Sequence, residues 1–359
     1  MKPRPIQAPC AAWTNLTALL ALCWLLWAPA AQAADAALAN ADLAPGTQAR
    51  ALQRAQRAVL GVQVVAVAEA RSARTLGRAR SGSGVLISQD GLVLTIGYLV
   101  LEAEQVQLLH EDGRSVPARV LGYDVATGFG LLQALAPLGL EPAPIAPPGS
   151  AERLQPEMPL MVASGGEDAA VSVAQLVARR PFSGYWEYHI DGALFTAPPR
   201  PDHSGAGLFN AAGELVGIGS LLVADAAGNG AGGMRRSGNM FVPLELLAPI
   251  LADLRRLGHG ADSQRAWLGL NCAEQDGSIR VMRVSDDSPA DVAGIEAGDR
   301  ILRIDGTEVR SLAALWRALW SGGAPEREIS LLIEREDKQQ TLKVYSVDRM
   351  KTLKRSQGI

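Results

Sequence analysis

The chain has 359 residues, enough for two or three domains with cores of their own. Its 34 Lys and Arg against 37 Asp and Glu give a formal charge of −3, so no basic field offers itself to nucleic acid. With 37 Gly and 21 Pro, turns and short strands are favoured over long helices.

Residues 1–33 read as a signal peptide. Lys2 and Arg4 give a basic start, Leu16 to Trp27 is almost wholly apolar, and Ala31-Gln32-Ala33 supplies a small-x-small cleavage site. The apolar run is short for a membrane span, although retention as an inner-membrane anchor is the alternative. Cys10 and Cys23 lie in this leader and Cys272 stands alone beyond it. A cleaved chain therefore has no intramolecular disulfide and no cysteine metal cluster, which fits a periplasmic destination. No second apolar run of spanning length follows, so no membrane span is expected after cleavage.

Residues 34–54 are a small-residue leader or linker, with a short helix expected over 48–59. From Gly61 the period shifts towards two. Strand candidates follow at 61–68, then a hairpin over 84–96 turning at Asp90-Gly91, and another over 105–124 turning at Asp112-Gly113. Residues 128–134 form a further strand, and the proline-rich stretch 137–157 connects. PLMVAS, VSVAQLVA, YWEYHI and GALFTA continue as strands. Short strands at regular spacing over 55–245 predict two small antiparallel barrels. Residues 221–238 read as a glycine-rich surface loop. Residues 246–265 are a helical linker in which Pro249 shortens or kinks the helix. A separate unit is expected over 266–346 and a tail over 347–359.

The stretch Pro201-Asp202-His203-Ser204-Gly205-Ala206-Gly207-Leu208-Phe209-Asn210, followed by Gly213-Glu214-Leu215-Val216-Gly217-Ile218, reads as a tight loop, a strand, a turn and a strand presenting one hydroxyl. It resembles the catalytic-serine segment PGNSGGPLFN of the HtrA/Deg family of chymotrypsin-fold proteases. That resemblance implies a mostly β chain, a chymotrypsin-like double β-barrel followed by a small α/β PDZ-like domain. In those relatives the base sits in a motif similar to LTNNHVV. The matching run is Leu94-Thr95-Ile96-Gly97-Tyr98-Leu99-Val100, which puts Tyr98 at the histidine position. The acid's motif, similar to DxxTDLALLK, matches Asp124-Val125-Ala126-Thr127-Gly128-Phe129-Gly130-Leu131-Leu132-Gln133 and puts Gly128 at the aspartate position.

A phenol is ionised to only about one part in a thousand at pH 7, so Tyr98 is a poor base, and Gly128 has no side chain. Asp202 stands where the family has the oxyanion-loop glycine, and a carboxylate there opposes a developing negative charge. On this reading Ser204 is a remnant and the chain is a pseudoprotease that is not expected to be an enzyme. His189 is read as a face histidine of a strand. His203, His110 and His259 are read as a loop, an edge and a linker residue. Neither the histidines nor the acids show metal-ligand spacing, so no metal or other cofactor is implied.

Residues 266–346 carry SPAxxAGIxxGDxIxxIxGxxV, which strongly resembles a PDZ domain of the HtrA type. Ser288-Pro289-Ala290 caps a short helix, Gly294 ends it, and Asp305-Gly306 makes a turn. Carried over from the family, Trp267, Leu268, Gly269 and Leu270 form the carboxylate-binding loop. Leu312, Leu315, Trp316 and Leu319, at helical spacing, divide between core and the opposite wall of a peptide groove. The resemblance implies a periplasmic protein that binds peptides, protein C-termini or misfolded proteins as an adaptor, regulator or chaperone, in which a homologous active protease could be a partner. The alternative is an active serine-type endopeptidase of periplasmic protein quality control. Residues 34–60 lack the aromatic residues that family trimers use, and the oligomeric state is left open.

Overall fold

A computed structural model describes residues 45–228 and 235–354. The expected signal peptide, the leader as far as residue 44, part of the glycine-rich loop (229–234) and the end of the expected tail (355–359) lie outside the described residues.

Helix α1 (Pro45–Arg57) leads into strand β1 (Val59–Ala66). Strands β2 (Ala79–Leu86), β3 (Leu92–Ile96), β4 (Ala103–Leu109), β5 (Ser115–Tyr123) and β6 (Phe129–Ala134) complete a closed antiparallel barrel in the order β1-β2-β3-β6-β5-β4. In β5 the period of two is plain: Val116 and Ala118 are buried while Ser115, Pro117 and Arg119 are exposed. All five residues of β3 are buried, because the strand is covered on both faces. The two expected hairpins turn at Gly91 and Gly113, whose φ values of 82° and 81° suit glycine.

A second closed barrel repeats the plan with β7 (Pro159–Ala163), β8 (Val171–Ser183), β9 (His189–Ala197), β10 (Gly207–Phe209), β11 (Leu215–Val223) and β12 (Gly238–Pro243), in the order β10-β11-β12-β9-β8-β7. Closure leaves no unpaired sheet edge. Phe129 and Leu131 of the first barrel and Phe195 and Phe209 of the second belong to one continuous core. The stretch expected to be a strand over 185–190 divides instead. Residues 184–188 leave the barrel as a loop and β9 begins only at His189. Trp186 makes an antiparallel bridge to Asn271, while Tyr188 is buried in the barrel core and Tyr185 stays exposed.

After β12 a single turn of 3-10 helix (Leu244–Leu246) is followed by α2 (Leu251–Leu257), with Pro249 in the break and Gly258 ending the helix at φ 82°. The C-terminal part is the smaller α/β region. Strand β13 (Ala266–Trp267) pairs with β20 (Val347–Asp348), outside the main sheet. The sheet runs β14 (Leu270–Gln275), β15 (Ser278–Val284), β16 (Arg300–Ile304), β18 (Glu328–Arg335), β19 (Lys338–Tyr345), with β17 (Thr307–Glu308) beside β16. Ser288 caps a short helical turn by accepting from the Asp291 N–H. Ser311 does the same for α3 (Leu312–Ser321) through the Ala314 N–H. The helix buries Leu312, Leu315, Trp316 and Leu319 against this sheet and its surroundings. The molecule is thus two chymotrypsin-like six-stranded barrels followed by a PDZ-like α/β region.

Candidate functional site

Ser204 sits on the loop before β10, with its carbonyl accepting from the Ser83 N–H at 2.8 Å. Gly205, at φ 75°, turns the chain so tightly that a Cβ there would stand 1.9 Å from the Ser83 carbonyl oxygen. Tyr98, on a helical turn after β3, brings its phenol oxygen 2.7 Å from Ser204 Oγ and 2.8 Å from the Ser220 carbonyl oxygen. A carbonyl only accepts, so the single phenol proton goes to Ser220 and the Ser204 hydroxyl donates to Tyr98. Burial pushes the Tyr98 phenol up to about 12, only partly offset by the Ser204 hydrogen bond. The phenol is therefore neutral at physiological pH.

Gly128 lies at φ 87°, and a Cβ built there would approach the Tyr188 hydroxyl at 3.2 Å. The Tyr188 hydroxyl donates to the Thr127 carbonyl at 2.7 Å, so a phenol stands against Gly128. The Asp202 carboxylate is held by Arg200 and Ser164. Its Oδ1 accepts from Arg200 Nε at 2.9 Å, Oδ2 takes a second Arg200 hydrogen bond, and Ser164 Oγ donates to the same oxygen at 2.5 Å. Burial raises the Asp202 carboxyl, but the Arg200 and Ser164 hydrogen bonds outweigh it and hold the group below its ordinary value. The carboxylate expected to oppose an oxyanion is thus neutralised by its own guanidinium.

The histidines are engaged elsewhere. His203 Nδ1 donates to the Arg200 carbonyl at 2.9 Å, His259 Nδ1 to the Gly260 carbonyl at 3.0 Å, and His110 Nδ1 lies 3.1 Å from Arg114 Nη2. His189 corrects the sequence reading. Ser183 and His189 face each other directly at the ends of β8 and β9, and Ser183 Oγ stands 2.8 Å from His189 Nδ1. The expectation of a chain without a working serine–base pair, and so not an enzyme, is overturned by this pair. It was missed because it does not lie at the motif positions; it depends on the register of a bulged strand pairing that periodicity does not reveal.

Burial first, and then the Arg317 charge, lower the His189 pKa despite Asp191. The imidazole is thus neutral at pH 7 and able to accept a proton. On its far side Nε2 lies 3.4 Å from Asp191 Oδ1, and Arg317 of α3 donates to that same oxygen at 2.8 Å.

The residues expected to form the peptide groove lie together. Trp267, Leu268, Leu270, Leu312, Leu315, Trp316 and Leu319 are all buried. Gly269, at φ 88°, bends the loop where a Cβ would meet Ser288 Cβ at 2.3 Å. The backbone N–H groups of Leu268, Gly269 and Leu270 converge on one carboxylate, that of Glu187, at 3.1, 2.8 and 2.9 Å from Oε1. Sequence reasoning missed Glu187. Its one signal was an acid set among three aromatic residues, Tyr185, Trp186 and Tyr188, in a stretch read as a strand.

Residues 82–218 match the trypsin-like peptidase domain and residues 266–345 the PDZ domain. The double barrel and the α/β region together define a trypsin-like protein with a C-terminal PDZ domain. The chain is 28% identical over 281 residues to a DegP-like periplasmic serine endoprotease of a Marinomonas species, covering 74% of this chain and 57% of that protein. It is 27% identical over 233 residues to the serine endoprotease DegS of Haemophilus influenzae, covering 63% and 65%. Among solved structures, the HtrA-type protease AlgW with a decapeptide aligns at a TM-score of 0.51 and 20% identity, over 84% of this chain and 98% of that one. The serine endoprotease from Yersinia pestis aligns at 0.50 and 23%, over 85% and 99%. This chain thus carries a trypsin-like peptidase domain and a PDZ domain and is similar to DegP-like and DegS serine endoproteases. It spans between 52% and 71% of the length of the curated relatives it matches. Among the described residues, no helix is long and apolar enough to cross a membrane.

Proposed function

We propose that this chain is a serine-type endopeptidase of periplasmic protein quality control that gathers protein ends through its PDZ-like groove, with Ser183 as nucleophile and His189 as base. The observation that carries this is the 2.8 Å contact between Ser183 Oγ and His189 Nδ1 within a trypsin-like fold. In the acylation step the Ser183 oxygen attacks the scissile carbonyl and its proton passes to His189. The imidazolium then gives that proton to the leaving amine, and water completes the cycle by hydrolysing the acyl ester. Asp191 supplies the negative charge that favours the imidazolium. The leader-like N-terminus and the DegP-like periplasmic relative support the location.

Labelling with a serine-reactive phosphonate, alongside turnover of unfolded casein, tests the assignment. Label and turnover are expected in wild type and in Ser204→Ala, and neither in Ser183→Ala. Label that persists in Ser183→Ala, or a wild type without turnover, overturns it. A holdase or adaptor contribution from the PDZ-like groove is a second reading, favoured by the commitment of the Ser204 hydroxyl to Tyr98. It is read by suppression of casein aggregation in Ser183→Ala.

A further inference from the structure

A PDZ-type groove recognises a chain end by two kinds of bond. An extended segment adds a strand to the sheet edge, and a nest of successive backbone N–H groups holds a carboxylate. Both kinds of bond are already made here, by residues of the same molecule. The Cys272 N–H donates to the Tyr185 carbonyl at 2.6 Å, and Trp186 pairs antiparallel with Asn271 of β14. One residue further on, the Glu187 side chain enters the loop before β14. Its Oε1 accepts from the N–H groups of Leu268, Gly269 and Leu270, and its Oε2 lies 3.2 Å from the Leu268 nitrogen. The opposite wall also takes part, because Trp316 Nε1 of α3 donates to the Gly184 carbonyl at 3.1 Å.

The direction is that of a bound chain end. The segment runs antiparallel to β14, and its carboxylate reaches the nest at the end of the groove where a terminal carboxylate would sit. Three converging N–H groups satisfy an anion, and burying Glu187 without them would be costly. The aromatic residues beside it hold the segment in shape. Trp186 stacks on Tyr188 with ring centroids 5.6 Å apart, and Tyr185 meets Trp186 edge-on at 4.8 Å.

We propose that Tyr185-Trp186-Glu187 is an internal ligand of the PDZ-like groove, with the Glu187 carboxylate standing in for a peptide's terminal carboxylate, so that a protein C-terminus binds only by displacing it. This rests on the reading of the groove as a site for chain ends. It commits the groove to ligands with a free α-carboxylate, since that is the group Glu187 imitates. It also makes the segment a competitor rather than a wall.

The test uses the full chain and a fluorescein-labelled decapeptide ending in Val, as the free acid and as the C-terminal amide. Amide hydrogen exchange at residues 268–270 is followed in parallel. Glu187→Ala and the shape-conserving Glu187→Gln are compared with wild type, and far-UV circular dichroism establishes that each is folded. The expected result is faster exchange at 268–270 and at least a tenfold gain in affinity for the free acid in both variants, with no gain for the amide. Unchanged exchange, or unchanged affinity against a wild type that binds, overturns the internal ligand while leaving the groove as a peptide site. Freed amides with no peptide bound by any variant overturn the groove reading and the displacement with it. Should Glu187→Ala fail to fold, Trp186→Ala with Glu187→Gln carries the same comparison.

Discussion

The Tyr98 hydroxyl accepts a hydrogen bond from the Ser204 hydroxyl and donates one to the Ser220 carbonyl, tying one strand and a loop of the second barrel to a helical turn of the first. The contact is a bridge between barrels as well as a constraint on the serine. Removing the phenol oxygen in Tyr98→Phe leaves a buried carbonyl and a hydroxyl without their partner. The expected loss is about 1–3 kcal/mol of stability, read from urea unfolding. An unaltered midpoint would mean that the bridge contributes nothing.

Gly128→Asp places a side chain on left-handed backbone at φ 87° and drives a Cβ towards the Tyr188 hydroxyl, 3.2 Å away. The backbone strain alone is worth about 1–2 kcal/mol. A fall in Tm of at least about 2 °C is expected for a domain of this size. A variant that melts at or above the wild-type temperature contradicts the account of this position.

For the Ser183–His189 pair, the acid limb of the pH–rate profile should lie below the ordinary imidazole value of 6.5, because burial and the Arg317 charge both lower the group. Only the neutral imidazole accepts a proton, so activity rises as pH passes upward through its pKa. Arg317→Gln removes one depressing charge and should move the limb to higher pH. A limb that stays in place, or moves down, detaches His189 from the reaction.

Burial, against the three N–H donors and the nearby Arg349 charge, pushes the Glu187 carboxyl from 4.5 up to about 7. The docked group therefore binds a proton more tightly than the undocked one, and docking contributes most below pH 4.5. That contribution is lost as pH rises from 4.5 to about 7 and changes little beyond. Cys272, buried in β14 with its backbone N–H donating to the Tyr185 carbonyl of the segment, reports the opening. Burial and then the Glu187 charge raise its thiol, so it is inert while covered. The ratio of its modification rate in wild type to that in Glu187→Gln should climb between pH 4.5 and 7. A flat ratio counts against the titration of Glu187.

Much of the fold was written in short range. Asp90-Gly91 and Asp112-Gly113 mark hairpins because a positive φ at glycine is a local demand. Ser288 marks a helix start because its oxygen has only three residues to reach. The strand expected over 185–190 failed because the fate of Glu187 there depends on partners more than 80 positions away, at Leu268 to Leu270. The Ser183–His189 pair was hidden for a related reason. Which residues face each other across β8 and β9 depends on two register shifts, at Leu176/Ala178 and Arg180/Phe182, which alternation cannot count.

A segment fastened at both ends by β8 and β9 never diffuses away from the groove it fills. An occupant on so short a tether competes at an effective concentration on the order of millimolar, whatever the cell contains. A free chain end must exceed that standing concentration, scaled by its own affinity, before it gains entry. The groove would thus ignore scattered termini and respond when they accumulate, which makes residues 185–187 a setting for threshold.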